Sequence, residues 1–336
     1  MLHSTIPPRW NDHEIPSRAT LAAALRCPFP LRINRHVQQA HEHSTRWVGQ
    51  AFGDLQLAQR ARRARMAWMV AGFYPQAGRP ELCLAADYLC WAFALDDLGD
   101  ETPVGERPAQ LAELFEQCDG TFTGAPPAID DSPTVSALRD IVARLRKIAG
   151  DDQVEAFRRG NQAYFGGMLW EANNRAGKWV PHESSFMMLR PAAGAVPPFF
   201  ALVEALESFR LPPAVKAHPQ IAELERLAGG IVCWINDVLS YEKERKLNDV
   251  HNLAFVYETH RGLPPGAALA QAVALSNAEV DGFLARAAAL PSFGEAEDAL
   301  VQRYIGVLGS MIRITRDWTL GSARYAERDD LMEMAG

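Results

Sequence analysis

Apolar residues recur at three- and four-residue spacing along most of this chain, the period of one face of an α-helix. The pattern predicts helices over Asn34–Phe52, Leu55–Phe73, Pro80–Leu98, Pro108–Cys118, Pro133–Ala149, Asp152–Ala176, Pro219–Lys246, Val250–Arg261, Ala267–Ala288 and Glu295–Tyr325. Their ends carry helix punctuation: Ser132 with Pro133 forms an N-cap and first-turn proline, while Gly150 and Gly262 follow periodic segments as stops. No run of alternating β-branched residues suggests a sheet, and no repeat of 20 to 50 residues stands out. The expectation is an all-α fold, a single-domain bundle of roughly ten or more helices that can leave a cavity between facing helices. Prolines at 7, 8, 16, 28 and 30 mark residues 1–30 as an irregular N-terminal arm, with the helical domain over 31–326 and a tail over 327–336.

Composition narrows the partners. The chain has 336 residues, ample for a sizeable core, and 34 Lys plus Arg against 41 Asp plus Glu give a net charge of −7. That balance argues against nucleic acid or an anionic membrane surface as the main partner. No segment reaches the length of apolar residues needed to cross a membrane, and residues 1–30 do not read as a secretory signal. Five cysteines, odd in number and without CxxC spacing, read as reduced core thiols of a cytoplasmic protein. The histidines show no HExxH spacing, and neither a dinucleotide nor an NTP cradle is present.

Two polar clusters interrupt the apolar pattern. In IVCWINDVLSYEKER, Ile231 to Arg245, the residues Asn236, Ser240 and Glu244 recur every fourth position and stack three oxygen-bearing side chains along one helical face. Such a column suits a hard cation, and Mg²⁺ commonly completes its shell with waters and substrate phosphates. Taken alone, the column is equally the solvated stripe of an amphipathic helix. Upstream, Asp96, Asp97 and Asp100 follow the apolar run Tyr88–Leu95. Carboxylates this close repel one another and oppose the dipole at a helix C-terminus, a cost that a divalent ion would remove.

Together these clusters resemble a known family. DDLGD at 96–100 is similar to the aspartate-rich motif of class I terpene synthases, and NDVLSYEKE at 236–244 is similar to their Asn-Ser-Glu triad. Arg324 and Tyr325 match the family's C-terminal Arg-Tyr pair, while Arg190 and Gly194 match its diphosphate-sensing arginine and the glycine four residues on. These motifs, in the expected order, cover about two-thirds of the chain. Phe186 stands where the family commonly has tyrosine, and Ala193 where many members have an acidic or hydroxyl residue.

The resemblance implies the class I terpene synthase fold around a central apolar cavity. It implies Mg²⁺, as three ions, held by Asp96, Asp97 and Asp100 on one side and Asn236, Ser240 and Glu244 on the other. Arg190, Lys243, Arg324 and Tyr325 would grip the diphosphate, and the Gly194 carbonyl would face the nascent cation. The segment FMMLRPAAGAVPPFFA, 186–201, supports a broken helix there, because Pro191, Pro197 and Pro198 do not suit a continuous one. Phe93, one turn before Asp96, and Phe199 and Trp318 are the expected pocket aromatics; Trp91, Trp170 and Trp234 belong with the core.

The expected activity is cyclisation of a prenyl diphosphate, farnesyl diphosphate before geranylgeranyl diphosphate, with release of diphosphate. The resemblance allows a homodimer. Two alternatives stand beside it. A prenyl-chain-elongating transferase usually carries two aspartate-rich motifs, and here the second is NDVLSYEKE. A non-catalytic helical isoprenoid-binding protein would not need both ligand sets.

Overall fold

Helix breaks, more than helices, decide where this chain puts its functional groups. The computed structural model describes residues 7–8, 10–100 and 102–325; the side chain of Asp100 and the expected tail 327–336 lie outside the described residues. Sixteen α-helices, and no strand among the described residues, account for the fold. The arm is not wholly irregular: α1 (Arg18–Ala24) forms because the Ser17 side chain caps the amide of Thr20.

Then follow α2 (Val37–Phe52), α3 (Leu55–Arg63) and α4 (Met66–Phe73). Asp54 caps α3 by accepting from the amides of Gln56 and Leu57. The single helix expected over Leu55–Phe73 is broken at Arg65, which takes the left-handed conformation at φ 54°. No glycine or proline signals this break. It frees the Ala64 carbonyl, which accepts from Trp318 Nε1 at 2.9 Å and Ser322 Oγ at 3.0 Å, so the break anchors a distant C-terminal segment.

The long helix α5 (Arg79–Asp100) ends in the aspartate cluster, and a short 3₁₀ turn (Pro103–Glu106) leads to α6 (Pro108–Thr123) and α7 (Pro133–Leu145). Ser132 caps α7 as expected, whereas Gly150 is the N-cap of α8 (Asp151–Gly177) rather than the stop of α7. Next come α9 (Glu183–Ala193), α10 (Val196–Ala201), α11 (Val203–Leu206), α12 (Pro213–Lys216) and α13 (Pro219–Leu247). The chain closes with α14 (Leu253–Arg261), α15 (Pro265–Ala288) and α16 (Glu295–Gly321). Several predicted boundaries shift; near the site, Asn252 caps α14 through the Ala254 amide, and α16 stops at Gly321, leaving Ser322–Tyr325 as a turn.

The segment around 190 is interrupted, but not at Pro191. That proline is accommodated inside α9, and the break falls at Gly194 and Ala195, with Ala195 at φ 56°. A left-handed alanine is strained and must be held by its surroundings. What holds it is α8, whose backbone touches the break directly. A Cβ added at Gly167 would lie 2.4 Å from the Ala193 nitrogen, and one at Gly160 would lie 2.7 Å from the Pro198 Cα. Only glycine permits this approach.

The core runs through the bundle: Tyr88, Trp91, Phe157 and Phe199 pack ring against ring, and α13 is buried on every side from Leu227 through Tyr241 apart from a few positions facing the cavity. Trp91 and Trp234 lie in this core as expected. Among the described residues no single helix is long and apolar enough to cross a membrane.

Candidate active site

The ends of α5 and α13 face one cavity of about 1180 Å³, its open mouth included, walled further by α4, α8, the α9–α10 break and α16. The chain makes it apolar at one end and ionic at the other. On α5, Leu89 lines the apolar end and Asp96 the ionic end, seven residues and roughly 10 Å apart along the helix. Phe93 sits between them, and Phe199 lines the same wall, its ring edge-on to Phe73 at 5.5 Å. Both expected pocket phenylalanines therefore face the cavity. Trp318 does not: its indole N–H is spent on the Ala64 and Arg65 carbonyls, which pins the ring behind Phe93 at 5.7 Å between centroids.

At the ionic end the last two described residues join the two clusters. Arg324 Nη2 lies 2.9 Å from Asp96 and 2.8 Å from Asp97, and its guanidinium sits 4.2 Å over the Phe93 ring. Burial works against that charge, but Asp97, Tyr325 and Asp96 hold it protonated, above even the usual arginine range. Asp97 faces Arg324 and does not line the cavity, because consecutive helical residues point in different directions. Next along the chain, the Tyr325 hydroxyl accepts from Asn236 Nδ2 at 3.1 Å. Lys243 lines the cavity with its Nζ 5.7 Å from the Tyr325 ring.

Asn236 is held from the other side by Arg190, whose Nη2 donates to its Oδ1 at 3.2 Å. The main partner of Arg190 is Asp237: Nε and Nη2 donate to one carboxylate oxygen at 2.9 and 2.7 Å, while the other oxygen accepts from the Leu253 amide. Asp237 is fully buried and Arg190 nearly so. Desolvation opposes charge on Arg190, yet the Asp237 carboxylate keeps it ionised well above its ordinary value. Gly194 also lines the cavity; a Cβ there would meet Arg190 Nη1 at 3.1 Å and Cys233 Sγ at 3.2 Å.

The expected column of three ligands is only partly realised. Asn236 and Glu244 face the cavity, but Ser240 is buried and donates to the Asn236 carbonyl one turn earlier. Among the described residues no three His, Cys, Asp or Glu side chains converge as a metal site. Burial, with the neighbouring carboxylates of Asp237 and Asp249, pushes Glu244 up to about 8, against the pull of Arg190 and a 2.7 Å bond from Asn252. An all-oxygen set under this carboxylate crowding fits a hard cation.

Sequence reasoning missed a second polar group on the same rim. His251, expected to be structural, lines the cavity; its Nδ1 bonds Asp249 at 2.9 Å and its Nε2 faces the Asn174 amide at 3.2 Å. Burial pushes the Asp249 carboxyl up, but the hydrogen bonds and charge of His251 together with Arg175 hold it well below the usual carboxylate range. Glu171 on α8 completes the rim, pushed up by burial against the pull of His251, Arg175 and Arg190. A carboxylate directly after the apolar run Met168–Trp170 was the signal available for it.

An all-helical bundle whose two polar helix ends share an apolar cavity is the architecture of an enzyme that grips an anionic head and shelters a hydrocarbon tail. Residues 87–281 match the family described as terpene synthase family 2, C-terminal metal binding. The chain is 32% identical over 314 residues to the (+)-T-muurolol synthase ((2E,6E)-farnesyl diphosphate cyclizing) of Roseiflexus castenholzii, covering 93% of this chain and 96% of that one. It is 30% identical over 317 residues to the germacrene A synthase of Nostoc punctiforme, covering 93% and 98%. A solved point variant of cucumene synthase superposes with a TM-score of 0.78 at 26% identity, covering 89% of this chain and 99% of that one. The chain belongs to the terpene synthase family and has its class I α fold. It is a terpene synthase, a lyase of a metal-binding family.

Proposed function

We propose that this chain is a Mg²⁺-dependent cyclase that ionises farnesyl diphosphate and closes the cation to a sesquiterpene hydrocarbon or alcohol. The observation that carries this reading is the joining of the two clusters by neighbouring residues: Arg324 on Asp96 and Tyr325 on Asn236. The name of the Roseiflexus relative supports the farnesyl chain.

Three Mg²⁺ ions would be held by Asp96 and Asp100 on α5 and by Asn236, Ser240 and Glu244 on α13. Ser240, whose hydroxyl donates to the Asn236 carbonyl, would offer its remaining oxygen lone pairs. Bound there, the metal supplies positive charge for the departing diphosphate oxygens.

The chain's own groups do the remainder. Arg190, Lys243, Arg324 and the Tyr325 hydroxyl line the ionic end and bind the diphosphate, the arginines through planar forks that meet two oxygens at once. Phe93 and Phe199 line the cavity, where aromatic rings stabilise positive charge and help exclude water. The Gly194 carbonyl, at the break, adds a dipole beside them. The free cysteines accord with a cytoplasmic setting.

The test is incubation with geranyl, farnesyl and geranylgeranyl diphosphates and Mg²⁺, with and without isopentenyl diphosphate, followed by gas chromatography. Cyclic C15 volatiles that disappear with EDTA are expected. Longer prenyl diphosphates, or no volatile from any of the three, overturn the reading.

A further inference from the structure

We propose that Arg18 is a positioning residue for the Arg324–Tyr325 pair, so that the N-terminal arm is part of the active site. The inference rests on the reading that the pair binds diphosphate. The last carbonyls of a helix have no partner inside it and carry its negative end. At the end of α16 those carbonyls receive the Arg18 guanidinium: Nη2 donates to Thr319 and, at 3.1 Å, to Leu320, while Nη1 donates to the Tyr325 carbonyl at 3.1 Å. One rigid fork therefore spans the turn between helix end and Tyr325. From the inside, Ser322 holds the same turn, donating to the Ala64 carbonyl and accepting from the Arg324 amide at 3.2 Å.

Arg18 can act as an anchor because the arm is itself fixed on both sides of α1. Before it, Trp10 donates to the Gly266 carbonyl at 2.8 Å and the Gly266 amide to Asp12 at 2.8 Å. After it, Asn277 takes the Arg26 amide at 2.7 Å and gives to the Ala24 carbonyl at 3.0 Å, and Arg313 donates to the Phe29 carbonyl at 3.1 Å. With the arm tied to α15 and α16, the guanidinium sets where the Tyr325 backbone lies. That in turn sets whether Arg324 meets Asp96 and whether Tyr325 meets Asn236. Displacements near 1 Å in such groups cost about 100-fold in rate. Lysine keeps the charge but cannot bridge the two carbonyl groups as a planar fork does.

The test uses the full chain with Arg18→Ala and Arg18→Lys, and Arg158→Ala as a control that removes an ion pair between α8 and α6. In hydrogen exchange, the Arg324 and Tyr325 amides should exchange at least about tenfold faster in Arg18→Ala and unchanged in the control. With farnesyl diphosphate and Mg²⁺, kcat/KM should fall about 10- to 100-fold, with partial recovery in Arg18→Lys. In an Arg324→Ala, Tyr325→Phe background, Arg18→Ala should cost little more, because both side chains it positions have lost their contacts. Unchanged exchange, unchanged kcat/KM, or a full additional loss on top of that double variant each overturn the proposal. Absence of wild-type turnover with any prenyl diphosphate overturns the cyclase reading instead, and the exchange measurement still decides whether Arg18 fixes the segment.

Discussion

Two adjacent glycines on α8 give opposite predictions, and the difference tests how the broken helix is held. At Gly167 an added Cβ falls 2.4, 2.6 and 2.8 Å from backbone atoms of Ala193 and Ala192, and at Gly166 it meets nothing within 4 Å. Backbone cannot rotate away as a side-chain tip can, so Gly167→Ala overpacks the α8–α9 contact at a cost of about 1–3 kcal/mol. Gly166→Ala only removes unfolded-state freedom from an exposed helical position, a gain of about 0.5–1 kcal/mol. For a chain of this size these correspond to a melting temperature lowered by roughly 1–4 °C and raised by roughly 1 °C. Helical circular dichroism followed through a thermal ramp at one scan rate reads both. Because Ala193 adjoins Gly194 and the strained Ala195, Gly167→Ala should also lose at least about tenfold in turnover at temperatures where it is folded, while Gly166→Ala keeps wild-type turnover. Shifts of the same sign in the two variants, or a fully active Gly167→Ala, would refute the close backbone contact as the support of the break.

Asn236→Ala and Glu244→Ala should each lose at least about 100-fold in turnover with helical circular dichroism unchanged, and normal rates in both would remove them as metal ligands. Arg324→Ala leaves Asp96 and Asp97 without the cation they share; because Asp96 is about a third exposed, the cost should be nearer 1–3 kcal/mol than that of a fully buried pair, read as a lower melting temperature in EDTA that Mg²⁺ largely restores. A melting temperature equal to wild type in EDTA would contradict that ion pairing. Burial pushes Cys83 up to about 11 and Cys118 and Cys233 up to about 12, so at pH 8 roughly one Cys83 thiol in a thousand is ionised and native alkylation should be far slower than in urea. Raised thiol values mean that this part of stability is present below the unfolded thiol range near 9 and is lost as pH climbs toward 12. Rapid labelling of the native chain at pH 8 would show these thiols to be open.

Long-range periodicity carried most of the fold. The helices with strong three- and four-residue apolar spacing are where they were expected, and the polar column on α13 and the aspartates on α5 were visible because each departs from an apolar run. What the sequence hid was tertiary. Arg65 breaks a helix without glycine or proline because the freed Ala64 carbonyl finds Trp318 and Ser322, residues more than 250 positions away. The break falls inside the expected stretch, but its place at Ala195 was not legible, because Pro191 fits within α9 and glycines of α8 allow the backbones to touch there. The regular spacing of Asn236, Ser240 and Glu244 did not reveal that the Ser240 hydroxyl binds its own helix, since that choice is a rotamer. The His251, Asp249 and Asn174 network joins α8 to the start of α14 and has no local signature.

The two halves of the site are also less separate than their motifs suggest. Arg190 belongs to the broken helix and Asn236 to the metal column, yet one guanidinium bonds both Asn236 and the wholly buried Asp237 beside it. Removing a partner from a buried pair leaves an uncompensated charge, which is why Arg190 stays ionised and directed at α13. A diphosphate at the ionic end therefore meets an arginine already committed on one side, with Asn236 as the group both share. Any shift of Arg190 toward substrate must pull on the α9–α10 break through its backbone and on Asn236 through its side chain. Asn236 is in turn bonded to Tyr325, whose backbone is tied to Arg18. The polar column of α13, the broken helix, the C-terminal pair and the N-terminal arm thus form one continuous hydrogen-bonded chain beside the cavity mouth, with Asn236 at its centre.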